Sequence, residues 1–426
     1  MKKTIYSFII LTVIASVCAS NKPLKAQGSV SSDTITMGAG YTNEIYYSMA
    51  NGMILESPRN TWDIAFRTML RSSGILTNDG SGVVLYTYPK SDTSGWAGVD
   101  TSGIKNWTPM YNDPNDWENG AFSRNAKGYP DYGWCIYNSV SHDLTADSLF
   151  IIQLRDGSLR KLWIKDKRSV QDIYHFRYAN LDGTNEHTDT LNLSNDLATD
   201  FVGFSLETNQ RVDFQPQVSS WDILFTKYMS IQPDGTPYPV TVVLNNPEIK
   251  SKKFHPVPLT YTNWQVNPWD SLRSSIGWDW KAFNMTTMTY AVVDSLVFFV
   301  EPSGKDVYKL VFTGFAGSTT GLISFTNEKI LSYGINEPAA SGLNIKVYPN
   351  PVSETLNLLV TAKTGDEFHI VLSDLSGRQL GADHPGRLEE GLNLLTFDVS
   401  GIKPGVYFVT ASMAGTKAVT KVIITR

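Results

Sequence analysis

The chain has 426 residues, 42% of them hydrophobic and 18% charged, so it can bury real cores and is not a disordered polypeptide. Its formal charge of −5, with no long basic run, excludes nucleic acid and anionic lipid as natural partners. Aromatic residues reach 12%, and Thr/Val/Ile/Tyr-rich runs between Gly, Asn, Asp and Pro clusters favour strands over helices.

The N-terminus has the layout of a secretory signal peptide. Lys2 and Lys3 precede an apolar stretch from Ile5 to Val17, and a polar segment ends at Ala26-Gln27. Cleavage after Ala26 removes four lysines and leaves a side-chain charge of −9. Cys18 follows Val17, not the small residue usual before a lipoprotein cysteine. After cleavage only Cys135 remains, which excludes an internal disulfide and a cysteine-based metal cluster. No later apolar run is long enough to cross a membrane, so no transmembrane segment is expected in the mature chain.

Between the signal peptide and residue 335 the sequence repeats itself. Trp62-Asp63-Ile64-Ala65-Phe66 returns as Trp221-Asp222-Ile223-Leu224-Phe225. Tyr46 to Met49 matches Gly203 to Leu206, and Asn106-Trp107 matches Asn263-Trp264. Trp117 to Phe122 aligns with Trp280 to Phe283, and Asp147-Ser148-Leu149 with Asp294-Ser295-Leu296. Two-strand patterns close each copy, over Gly157 to Ile164 and Gly304 to Phe312. In a strand, Trp62, Ile64 and Phe66 share one face, with Asp63, Ala65 and Arg67 on the other. The tryptophans therefore read as core, not as ligand-stacking residues. Asp156-Gly157 and Asp182-Gly183 are turn signals, and helical periodicity is absent. The expected units are 27–198 and 199–335, each mostly antiparallel β. Their long aromatic loops include Trp107 to Tyr132 and Tyr261 to Phe283.

The Trp-Asp-Ile-(Ala/Leu)-Phe strand and the later pattern Tyr308 to Phe315 resemble the HmuY-like family of haem-binding surface proteins. The resemblance implies tandem HmuY-like units and haem or porphyrin binding. It departs from the family, whose members usually carry one unit on a lipid anchor.

A small-residue linker, 336–342, precedes a last segment, 343–426, of short alternating strands suited to a small β-sandwich. Val347-Tyr348-Pro349-Asn350-Pro351, then Leu356-Asn357-Leu358, Leu375-Ser376-Gly377-Arg378 and Gly405-Val406-Tyr407-Phe408 follow in order. This set resembles type A C-terminal sorting domains of the type IX secretion system. The resemblance implies an immunoglobulin-like sandwich, Sec export and contact with the outer-membrane secretion machinery. It also implies removal by a surface sortase and delivery to the cell surface or the medium. Tyr348, Pro349, Asn350, Pro351, Gly377 and Gly405 are its sorting-motif residues. The whole chain is thus expected to be all-β.

The search for chemistry is sparse. None of the six histidines has a metal-binding spacing, and no nucleophile elbow or phosphate loop occurs. Nothing in the sequence supports an enzyme. Haem needs an apolar slot and axial His or Met ligands. The candidates are His142 and Met110 in the first unit and Met288 in the second. Met288 precedes Asp294 much as His142 precedes Asp147. The alternative to haem is a structural or adhesive surface protein binding glycan or protein through its loop tryptophans and tyrosines.

Overall fold

The computed structural model describes residues 30–425 apart from 70, 303–305, 333–342, 363–366, 381–385, 388, 390 and 414–415. The expected signal peptide, Cys18 and the expected linker lie outside the described residues. The chain is nearly all β and divides into two compact units, up to Ser332 and from Tyr333 onward.

The first unit is built from two similar halves, each an outer sheet packed on an inner one. In half one the outer sheet joins His187–Asn192, Ile173–Asn180 and Leu159–Arg168. Leu159–Arg168 then pairs at one end with Phe150–Gln153, itself beside Val84–Thr87. At its other end it pairs with Leu144–Ala146, itself beside Cys135–Tyr137. The inner sheet runs Ile75–Thr77, Ile64–Arg67, Phe201–Ser205, Gln210–Val212. Alternation drives Ile64, Phe66, Phe150, Ile152, Phe176 and Phe204 into the core between the two sheets. Half two repeats this order. Its outer sheet is Val30–Thr36, Leu322–Ser332, Asp306–Phe315, Val297–Glu301, Lys250–Phe254. Its inner sheet is Pro237–Asn245, Ile223–Ile231, Asn43–Ser48, Gly52–Pro58.

The halves therefore do not divide at 198/199, where the sequence repeat divides. The Trp62 repeat strand pairs with Phe201–Ser205 of the second copy, and the Trp221 repeat strand pairs with Asn43–Ser48 of the first. Half one is one continuous stretch, whereas half two combines the N-terminal strands with everything after Gln210–Val212. Similarity between copies identifies equivalent strands but not which copy each strand pairs with. The repeated aspartate, placed on a polar face by the alternation, is instead buried and ties each exchanged pair. Asp63 accepts from the Leu206 amide at 2.7 Å, and Asp222 from the Met49 amide at 2.6 Å. Two asparagines repeat as well. The Asn78 side chain donates to Arg59 and Trp62 carbonyls, and the Asn246 side chain to those of Val218 and Trp221.

Trp62 and Trp221 are buried, as core residues should be, but not on the face of Ile64 and Phe66. Both enter a separate core with Ala65, Leu224, Tyr46, Phe201 and Phe214, where the two inner sheets face each other. Trp62 precedes the strand Ile64–Arg67, so strand alternation does not govern it. The unit is thus four layers deep. A second alignment shifts too. The Asp147 backbone amide donates to the Trp134 carbonyl as the Val293 amide does to that of Trp280, so Trp134, not Trp117, is the counterpart of Trp280.

The second unit holds two antiparallel sheets around one core. One joins Leu343–Tyr348, Thr355–Ala362 and Gly391–Asp398. The other joins Gly386–Arg387, Glu367–Ser373, Gly405–Met413 and Thr416–Ile424.

Candidate functional site

The seam between the halves is knit by buried polar groups. Arg59 donates to the carbonyls of Tyr41, at 3.0 Å, and Gly80, and to the Ser81 hydroxyl. Buried beside it, Glu44 is pushed up to about 7 by desolvation, against the pull of Arg59. Asp79, likewise buried, is pushed up to about 6 and accepts from the Asn112 amide at 3.0 Å. Gly80 lies so close to Ile223–Ile231 that a Cβ there would stand 2.0 Å from the Lys227 carbonyl oxygen. Arg273 of half two stacks 4.1 Å from the Trp117 ring of half one, and the Trp117 indole donates to the Asn245 carbonyl. These contacts hold the seam in one arrangement.

Among the described residues, two depressions open along it. The larger, about 960 Å³, lies between the 106–115 loop of half one and Met229 to Ile231 of half two. Its wall presents Trp107, Met110, Tyr111, Asn112, Asp113 and Arg124. Trp107 is half-buried, its edge set against Tyr88 and Tyr86 at centroid distances of 5.9 and 6.4 Å. Arg124 and Asp113 form an ion pair of 2.8 Å on the rim. A rigid aromatic wall with amide, carboxylate and guanidinium groups at its edge suits a polar ligand with flat apolar faces. The equivalent tryptophan, Trp264, is buried in half two with Phe254 and Phe299 and packs beside Trp269, so the groove is not duplicated there. The smaller depression, about 360 Å³, is lined by Tyr41, Arg59, Asn60, Ser81, Lys227 and Met229 among others.

The three haem-ligand candidates are not brought together. His142 and Met288 occupy equivalent hairpin turns, each four residues after an asparagine whose side chain accepts from turn amides. Both have left-handed backbone, φ 63° and 53°, and both are exposed on different halves. Met110 is buried in the half-one core, with its sulfur accepting from the Thr87 hydroxyl at 3.3 Å. Sequence reasoning singled out the Trp107 loop but missed Met229 to Ile231 and Lys227, which reach the seam only through the strand exchange.

The residues expected to carry the sorting motif lie in the second unit. Tyr348-Pro349 and Asn350-Pro351 are both cis. Asn350 bridges to the terminal strand, donating to the Lys421 carbonyl at 3.0 Å and accepting from the Ile423 amide at 2.8 Å. Val352 continues that pairing with Ile423 and Thr425. Gly377 closes the Asp374 to Arg378 turn at φ 81°. Gly405 makes room for the Tyr407 ring, which a Cβ would meet at 3.3 Å; the Tyr407 hydroxyl donates to the Lys403 carbonyl at 2.6 Å.

Residues 346–425 match the secretion system C-terminal sorting domain. This domain marks the chain for export by type IX secretion to the cell surface or extracellular space, and so for contact with that machinery. No curated protein matches the chain. Among solved structures, it is similar to dimeric latent PorU from Porphyromonas gingivalis at 11% identity and a TM-score of 0.18. That match covers 80% of this chain and 34% of the other, so the chain spans about a third of that protein. It is also similar to the BSP domain of a biofilm associated protein, at 11% identity and a TM-score of 0.16, over 96% of this chain and 67% of the other. Neither likeness carries an argument about the exported segment. No helix among the described residues is long and apolar enough to cross a membrane.

Proposed function

We propose that the protein is a surface or extracellular binding protein, delivered by its sorting domain, whose seam groove holds carbohydrate without catalysis. The observation that carries this reading is the groove wall: half-buried Trp107 and Tyr111 beside Asn112, Asp113 and Arg124. Sugar rings offer an apolar face to an aromatic side chain while their hydroxyls bond to amides, carboxylates and guanidinium groups. Removal of the sorting domain by a surface sortase, and its immunoglobulin-like form, complete the proposed delivery. The test is an oligosaccharide array probed with the mature chain, followed by calorimetry on any hit. Trp107→Ala should weaken binding by about 1–3 kcal/mol, and Trp107→Phe, which keeps an aromatic ring against Tyr86 and Tyr88, separates that loss from a change in stability. Unchanged affinity would remove the groove from the account.

A second reading, haem or porphyrin capture by HmuY-like halves, draws on Met110, which lines the same groove. Haemin titration separates the two. A Soret shift abolished by Met110→Ala would favour haem, and its absence favours carbohydrate.

A further inference from the structure

We infer that the groove takes an acidic saccharide, with Lys227 receiving its anionic group in the smaller seam depression. This rests on the carbohydrate reading and names the ligand class.

The two depressions adjoin. Met229 lines both, and Asn112 of the larger bonds to Asp79 of the smaller. Along Ile223–Ile231, Lys227, Met229 and Ile231 follow at alternate positions, so the row from Lys227 to Ile231 spans about 13 Å. That length accommodates a few linked sugar rings, with Trp107 and Tyr111 at one end and Lys227 at the other.

The smaller depression has the sign an anion needs. Lys227 is half-buried, with its ammonium 5.6 Å from the centre of the Tyr41 ring. Among the described residues no carboxylate forms an ion pair with it, and the charge it feels most is the like charge of Arg59. Arg59 is held to backbone carbonyls and the Ser81 hydroxyl. The two carboxyls whose charge acts on Arg59, Glu44 and Asp79, are both pushed by burial toward their neutral forms. Two cations in one cavity, Lys227 without a carboxylate ion pair among the described residues and Arg59 held by carbonyls and a hydroxyl, leave room for a carboxylate or sulfate brought by the ligand. The net negative charge, −5 for the full chain, does not oppose this even after loss of the N-terminal lysines, because distant surface charges are screened beyond about 8 Å at physiological ionic strength.

The test compares a short oligogalacturonate with a neutral cello-oligosaccharide of equal length, on the full mature chain, by calorimetry. The expected result is at least about tenfold tighter binding of the acidic ligand, shrinking at high salt. Lys227→Met should erase that preference and Lys227→Arg keep it. Equal affinities in the unmodified protein, or a preference that survives Lys227→Met, would overturn the inference and leave the groove standing. Binding of neither ligand would overturn the groove reading and this inference together. If Lys227→Met lowers the melting temperature, Lys227→Gln and the salt dependence of the unmodified protein decide the question in its place.

Discussion

Trp221→Ala probes the strand exchange. The indole is 2% exposed and meets Tyr46 edge-on at a centroid distance of 5.1 Å, in the core between the inner sheets. Removing a buried aromatic of this size costs about 3–5 kcal/mol, the lost transfer energy plus a cavity. Trp62, stacked on Phe214 at 4.7 Å in the same core, should cost a similar amount. The indole nitrogens of both have no hydrogen-bond partner, so Trp221→Phe deletes an orphaned donor and should cost much less than Trp221→Ala. Because the halves share this core and exchange strands, they should unfold together. Each alanine variant should therefore move one common transition. At roughly 2 °C per kcal/mol for a unit of this size, the drop is about 6–10 °C. Thermal melts followed by tryptophan fluorescence and far-ultraviolet circular dichroism on the full chain read this out. Two transitions, each shifted by only one of the substitutions, would refute the interleaved architecture.

Other expectations follow from single groups. Deleting 343–426 should strand the protein in the periplasm, which cell fractionation checks. Burial pushes Lys281 down to about 7, with its ammonium donating to the Thr241 and Trp278 carbonyls. The unfolded lysine keeps its proton up to about 10.5, so the unfolded chain binds more protons between the two values. Stability should therefore rise with pH from about 7 to 10.5, by at most about 1.4 kcal/mol per unit, and denaturant titrations of Lys281→Met should lack that rise. Met288, at φ 53° and exposed, should accept glycine with a gain of up to about 1 kcal/mol, measured as a melting shift. His142→Ala, at the equivalent exposed turn, should leave any haemin spectrum unchanged.

Much of this architecture was legible in the residues. The Trp-Asp-Ile repeat marked equivalent strands, and the ordered Tyr-Pro-Asn-Pro, Ser-Gly and Gly-Val-Tyr motifs marked the sorting domain, whose Asn350 proves to bind the terminal strand. The pairing of copies was not legible, because Asp63 and Asp222 look like ordinary solvated aspartates until the amides of Leu206 and Met49 are seen beside them. Trp62 does not share a face with Ile64 and Phe66, because alternation holds only within the strand and Trp62 lies before its start. The groove was half legible. The Trp107 loop is conspicuous, but Lys227 to Ile231 reads as one more strand end, and only the exchange sets it opposite that loop.

The most direct test of the account is amide hydrogen exchange on the mature chain, with and without a bound oligosaccharide. The account predicts simultaneous protection of 106–115 and 227–231, two segments more than a hundred residues apart that meet only at the seam. Protection confined to other surfaces, with both segments unchanged, would contradict it.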